Sequence, residues 1–255
     1  MKNNIHPTAL VSTGAKLGDN VSIGAFSIIH DNVVIGDNTV VEAYCELGVE
    51  NKFCDGQPLI IGRNSHIRSH STFYAASKFG ENLVTGHRVT IREKTTAGNG
   101  FQIGTLGDVQ GHCNIGNYVK CHSNVHIGNK SVIGSYVWIF PYVVLTNDPH
   151  PPSEVLIGCE IEDFAVIATM SVVLPGVKIA SDTLVGAGSI VGKNVESGWV
   201  VAGNPAKPIC EIQKIKLKDG SGRNAYPWRS HFHRGYPQHD IEKWLAELNI
   251  SNSNS

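Results

Sequence analysis

His112, His122 and His126 stand close together near the middle of the chain, and their side chains are the first that could do chemistry. An imidazole changes charge near neutral pH, so it can take a proton from an attacking hydroxyl or amine, or ligate a metal. A second polar group follows in Thr146-Asn147-Asp148-Pro149-His150-Pro151-Pro152-Ser153-Glu154. Its prolines restrict the backbone, so the segment should project as a defined arm offering Asn147, Asp148 and His150 to a ligand. A third group lies towards the C-terminus, where Trp228, Phe232 and Tyr236 alternate with Arg229, His231, His233 and Arg234. The rings are expected to cover the last turn of the fold or a neighbouring subunit, and Arg229 and Arg234 are candidates to meet a pyrophosphate.

The elements that must position these groups follow a beat of six. From Ile5 an apolar residue returns at Val11, Leu17, Ile23, Ile29, Ile35, Val41, Leu47 and Phe53. The phase slips at Pro58, resumes at Ile61 and holds through Ile67, Phe73 and onward to Leu145, with Thr85 as its polar member. After the proline-rich arm it returns at Ile161, Ile167, Val173, Ile179, Val185 and Val191. Four positions after the beat stands a small or β-branched residue, as at Ala9, Val21, Ser27, Cys45, Cys113 and Ser189. Glycine often follows the beat directly, as at Gly18, Gly24, Gly36 and Gly62, which suggests corners needing unusual dihedrals. Neither an α-helix nor an ordinary hairpin carries this period. A flat strand with one large and one small inward side chain, then a tight corner, makes one side of a triangle, and three sides complete a turn. The expectation is an all-β parallel β-helix of about ten coils, on the order of 50 Å long at about 4.8 Å per turn.

On this scheme His122 and His126 fall one and five positions after the beat at Cys121, so both point outward. Whole-turn steps from them reach Gly86, Gly104, Thr90 and Asp108, never a third histidine, so no metal is expected. The β-helix should occupy residues 1–208 with a projecting loop at 146–156, and residues 209–255 should form a C-terminal extension with a loop and a short helix. Ile241, Trp244, Leu245 and Leu248 predict that helix over 239–249, and residues 251–255 are expected to lack ordered structure.

A net charge of −1 argues against a nucleic-acid or polybasic membrane role. No apolar run is long enough for a membrane span and residues 1–7 carry no apolar signal core, so a soluble cytoplasmic protein is expected. Cys45, Cys113 and Cys121 occupy inward slots as buried thiols, and no Cys-x-x-Cys pair suggests a zinc ribbon.

The hexad pattern resembles the left-handed β-helix (hexapeptide-repeat) acyltransferases, and the left hand of the coil is implied by that resemblance. Val173-Leu174-Pro175-Gly176-Val177-Lys178-Ile179 and the ending Val201-Ala202-Gly203-Asn204-Pro205-Ala206-Lys207 are similar to bacterial sugar acetyltransferases that use acetyl-CoA. The Thr146-Asn147-Asp148-Pro149 arm is similar to that of nucleotide-sugar N-acetyltransferases serving surface polysaccharide (O-antigen or lipopolysaccharide-type) synthesis. The resemblance implies a homotrimer with clefts between subunits, in which an acetyl group passes from acetyl-CoA to an amino group of a nucleotide-linked sugar. It also implies that Thr169, Ala187, Gly192 and Lys193 line the pantetheine path and that Lys207 meets the adenosine phosphates.

Val109-Gln110-Gly111-His112-Cys113 is similar to the His-Asp-Cys segment of lipid A and pilin-sugar acyltransferases, with Gly111 at the position of their base and His112 at that of their aspartate. Galactoside-type O-acetyltransferases place a histidine in their arm, where this chain has Asp148, with His150 two residues on. Attack on a thioester needs alignment, an oxyanion donor and, for a hydroxyl, proton removal. His112, His122 and His126 are therefore expected nearest the chemistry, with Asn147, Asp148 and His150 shaping the sugar pocket. Two alternatives stay open: a sugar O-acetyltransferase, and a zinc hydratase resembling γ-type carbonic anhydrases through His122-Ser123-Asn124-Val125-His126.

Overall fold

A computed structural model of the protein describes residues 2–253. Strands mostly two residues long alternate with corners and wind into a three-walled prism, whose walls carry 12, 10 and 9 strands. Within the coils the strands pair in parallel with their counterparts one turn later, and only the last strand of the first wall is antiparallel among the described residues. Lys120 lies beside Trp138 on the first wall, Asp108 beside His126 on the second, and Asn114 beside Val132 on the third. This is the β-helix that the beat of six predicts, and its stack of about ten coils is met by those strand counts.

The core follows directly from the beat. Every beat residue from Ile61 to Val191 is buried, including Thr85, whose hydroxyl accepts a hydrogen bond from the Arg68 backbone N–H at 2.9 Å. At the amino end the stack has no neighbour on one side, and Ile5 is left 42% exposed. Phe53 departs from its expected inward place and is 44% exposed. The ladder bulges at Gly48 (φ 90°) and the strand ends at Val49, which shifts the phase before Phe53 is reached. The corner insertion that follows is tied down by the Asn51 amide, which donates to Glu93 at 2.9 Å, and by a Lys94–Asp55 ion pair.

The glycines after the beat have a different cause from the one expected. Gly24 and Gly62 are not among the residues with positive φ. A Cβ at Gly24 would lie 2.5 Å from the Ala43 backbone nitrogen, and one at Gly62 would lie 2.4 Å from the Gly80 carbonyl. Close approach of the next turn excludes a side chain there. The left-handed conformation falls two residues later in each corner, at Phe26 (φ 59°), Asn38 (φ 56°) and Asn64 (φ 58°).

Beyond the last coil, Trp199–Gly203 turns back into the antiparallel strand Ala206–Glu211, which extends the first wall and runs across position 208. The aromatic residues of the extension, expected on the last turn or on a neighbouring subunit, do not cover the last turn. The extension lies back along the middle of the first wall, where Trp228, Tyr236, Ile241 and Trp244 pack against Tyr118, Tyr136, Trp138, Phe140 and Phe164. These partners occupy outward positions, so a second apolar core forms on the outside of the prism. Polar atoms inside it are paired: the Trp138 indole donates to the Tyr236 hydroxyl at 2.8 Å, and the Trp228 indole to the Phe164 carbonyl at 3.2 Å. The C-terminal helix spans Gln238–Ser253 and buries Ile241 and Trp244, as its spacing predicts. It runs through part of the segment expected to lack order, and residues 254–255 of that segment lie outside the described residues. Among the described residues no helix is long and apolar enough to cross a membrane.

Candidate functional site

Asp108 and His126 stand on adjacent turns of the second wall at outward positions, so the ladder register sets their side chains one above the other. His126 Nδ1 lies 2.9 Å from Asp108 Oδ2, and the Gln110 amide donates to the same oxygen at 2.6 Å. Burial pushes the Asp108 carboxyl up, but the hydrogen bonds from His126 and Gln110, with the charges of His126 and Arg92, outweigh it and hold the group below its ordinary value. Asp108 is thus an anion at neutral pH. It favours the proton on Nδ1 and leaves Nε2 as the imidazole's acceptor. The side chains are 38% and 31% exposed, so the pair is open to a ligand.

The edge between the second and third walls continues this polar surface. Glu93 is buried, accepts from Asn51, and receives the Arg92 guanidinium at 3.2 Å. Arg92 lies with its Cζ 5.9 Å from the Tyr74 ring centroid. Burial raises the Glu93 carboxyl, yet its bonds to Asn51 and Arg92 bring it below the ordinary range.

The three histidines expected nearest the chemistry do not form one cluster. His126 is on the second wall. His122 lies on the edge between the first and second walls, stacked on Phe140 with centroids 4.8 Å apart, and burial pushes its pKa down. His112 occupies a left-handed corner (φ 52°) between the second and third walls, exposed, with its backbone N–H donated to the Glu93 carbonyl. Among the described residues no hydrogen bond joins any two of them.

In the arm, the Asn147 carbonyl accepts from the Ile157 N–H at 2.8 Å. Asp148 accepts from the Ser153 hydroxyl at 2.7 Å, the Ser153 N–H at 2.9 Å and the His150 N–H at 3.0 Å. The Ser153 hydroxyl is the main cause holding its carboxyl below the usual value. Asp148 therefore shapes the arm itself, while the His150 ring is exposed beside it. Thr169 and Ala187 sit on the edge between the first and second walls, where the Thr169 carbonyl accepts from the Gly188 N–H at 2.9 Å. Gly192 and Lys193 follow the strand Ile190–Val191 on the other edge of the second wall, and Lys207 is exposed on the antiparallel strand opposite Ala202. The width of the second wall separates Thr169 and Ala187 from Gly192 and Lys193, so the structure does not bring these residues together within one chain. Arg229, a candidate for pyrophosphate, is instead paired with Asp182 and lies 4.1 Å over the Phe164 ring, inside the outer core. Among the described residues no group of three or more His, Cys, Asp or Glu side chains converges to hold a metal ion.

Asp108 is the residue that sequence reasoning missed. It lies one whole turn from His126, and its signal in the sequence is a carboxylate stacked on a histidine, not the third histidine that a metal would need.

The family described as "Bacterial transferase hexapeptide (six repeats)" matches residues 14–48. An acyl-[acyl-carrier-protein]–UDP-N-acetylglucosamine O-acyltransferase of Aliarcobacter butzleri is 32% identical over 216 residues, covering 80% of this chain and 72% of that protein. The protein of the same name from Saccharophagus degradans is 36% identical over 138 residues, and the match spans 52% of this chain and 48% of its own length. The crystal structure of the Arabidopsis UDP-N-acetylglucosamine acyltransferase is similar in fold, with a TM-score of 0.60 at 18% identity over 93% of this chain and 79% of that one. With the coiled prism and the breadth of the Aliarcobacter match together, the chain belongs to the hexapeptide-repeat left-handed β-helix acyltransferases, in the group of the UDP-N-acetylglucosamine acyltransferases.

Proposed function

We propose that the protein transfers an acyl group from a carrier-protein thioester to a hydroxyl of UDP-N-acetylglucosamine or a closely related nucleotide-linked sugar, for lipopolysaccharide-type synthesis. The names of the relatives support the donor and the acceptor, and the His126–Asp108 pair carries the choice of a hydroxyl. A hydroxyl is a poor nucleophile until a base removes its proton, whereas an amine attacks without one. The acetyl-CoA donor and amino acceptor first expected therefore give way to an O-acyl transfer.

In this reading the sugar hydroxyl approaches Nε2 of His126. Its oxygen bonds to the thioester carbonyl carbon as its proton passes to Nε2, and the ionised Asp108 stabilises the resulting imidazolium. The C–S bond then breaks, and the imidazolium returns the proton to the departing thiolate. The resemblance puts Gly111 at the position of the family's base, and in this reading His126, one turn on along the second wall, takes over that duty. Asn147 and His150 shape the sugar end of the site, and Asp148 holds the arm that presents them. Thr169, Ala187, Gly192, Lys193 and Lys207 line the thioester's pantetheine arm between neighbouring copies of a homotrimer.

The test presents acyl carrier protein thioesters and acetyl-CoA with UDP-N-acetylglucosamine and an amino-sugar analogue, and follows thiol release. Turnover is expected with the carrier-protein thioester and the hydroxyl acceptor. His126→Ala should lower kcat by about 10²–10⁴-fold with little change in KM. A loss of only a few-fold removes His126 as the base, and turnover confined to acetyl-CoA with the amino sugar reinstates the earlier reading.

A further inference from the structure

A cleft of about 510 Å³ opens between the middle of the first wall and the loop of the extension that carries Arg234 and Gly235. Lys120, Arg68 and Arg234 line it together with Gln102, His122 and Trp138, and among the described residues no carboxylate does. None of the three cations has a carboxylate partner among the described residues. The Arg68 guanidinium donates only to the Thr85 carbonyl, at 3.3 Å. Lys120 is held differently: its ammonium lies 4.8 Å from the Trp138 ring centroid and 4.6 Å from that of Tyr236. Such contacts fix a cation in place without neutralising it, and they leave its N–H donors for an anion.

The loop is built to pass close over that ammonium. Gly235 has φ 85°, and a Cβ there would come 3.3 Å from Lys120 Nζ. Burial, and then the charge of Arg234, push the Lys120 ammonium below its ordinary value. Like charges have therefore been brought together in a partly dry place, and an anion between them would relieve the repulsion. A second hollow, about 320 Å³, adjoins the first through Trp138 and is lined mainly by apolar groups, Phe140, Trp228 and Phe232 among them, with His231. A cationic subsite next to a slot of aromatic faces suits a ligand with an anionic linkage and a flat ring.

We propose that this cleft binds the pyrophosphate of a nucleoside diphosphate on Lys120, Arg68 and Arg234, with the aromatic slot taking the base. The nucleotide's identity rests on the function proposed above, whereas the anion site rests on the three cations alone. A coenzyme A pyrophosphate shares this chemistry, and the experiment separates the two sources.

Binding of inorganic pyrophosphate, UDP, uridine and coenzyme A to the full chain is measured by calorimetry and by tryptophan fluorescence. Pyrophosphate and UDP should bind, with affinity falling as salt rises. Lys120→Met keeps the aliphatic stem between the two rings, and Arg234→Gln changes an exposed loop residue, so both variants should fold. Each is expected to weaken pyrophosphate and UDP at least tenfold while leaving the weak binding of uridine unchanged. Tighter binding of UDP than of coenzyme A supports the assignment, and the reverse overturns it in favour of the acyl donor. Absence of pyrophosphate binding at millimolar concentration, or equal binding by wild type and the double variant, also overturns it. Lost turnover with intact UDP binding counts against the proposed reaction, not against this cleft.

Discussion

Trp244→Ala should undock the extension and leave the prism folded. Trp244 is 2% exposed and meets four rings edge-on: Tyr136, Phe164, Trp228 and Tyr236, with centroids 4.8, 5.7, 5.8 and 5.1 Å away. Truncating a buried tryptophan costs about 3–5 kcal/mol, and each edge-on pair accounts for roughly 0.5–1.5 kcal/mol of such interactions. A loss of about 4 kcal/mol changes the docking equilibrium by about a thousandfold, because each 1.4 kcal/mol is a factor of ten. None of that loss falls on the inner stack, whose beat residues form a separate core. Limited trypsin digestion, read by mass, should cut the variant rapidly at Lys214, Lys216, Lys218 or Arg223 and leave a resistant prism. Tryptophan emission should shift to the red while the main thermal transition stays in place. The reasoning fails if the extension remains resistant, or if prism and extension melt together at one lowered temperature.

Glu93 gives a pH prediction. Its folded pKa lies below the ordinary 4.5, because the bonds to Asn51 and Arg92 outweigh burial. The stability it contributes is therefore complete above that value and is lost as pH falls through the folded pKa. Glu93→Gln should remove this contribution and flatten the acid limb of a plot of melting temperature against pH; an unchanged limb refutes the assignment. The thiols give another. Burial pushes Cys45 and Cys113 up to about 11 and Cys121 and Cys159 up to about 12, whereas Cys210 is only half-buried. Maleimide labelling of the native protein, followed by peptide mapping, should mark Cys210 first and reach the five buried thiols, Cys54 among them, only after denaturation.

The prism was legible because its period repeats a simple physical demand: one large and one small side chain inward on every strand. What lay between turns was harder to read. Gly24 and Gly62 invite an explanation in their own torsions, but the group that excludes a Cβ belongs to the corner one turn away. Asp108 and His126 form a pair only once the coil stacks them, and a local window sees two unrelated polar residues. The extension was the least legible part. Tyr136, Trp138 and Phe164 sit at positions the beat assigns to solvent, and no local pattern says that a distant segment returns to cover them. His122 illustrates the same difficulty, since its outward direction was evident and its stacking on Phe140 was not. The arm was recognised from its prolines, while the role of Asp148 in folding it back on Ser153 needed coordinates.

The backward run of the tail has a mechanical consequence. Coils stacked in a single file ordinarily peel from either tip, because a terminal coil is gripped from one side only. Here the carboxyl tip is clamped by the antiparallel strand Ala206–Glu211, and the chain beyond it is riveted to earlier coils near Tyr118 and Tyr136. Stripping the late coils first would mean tearing out that rivet. Unravelling is thereby steered to begin at the opposite tip, where Ile5 already faces water.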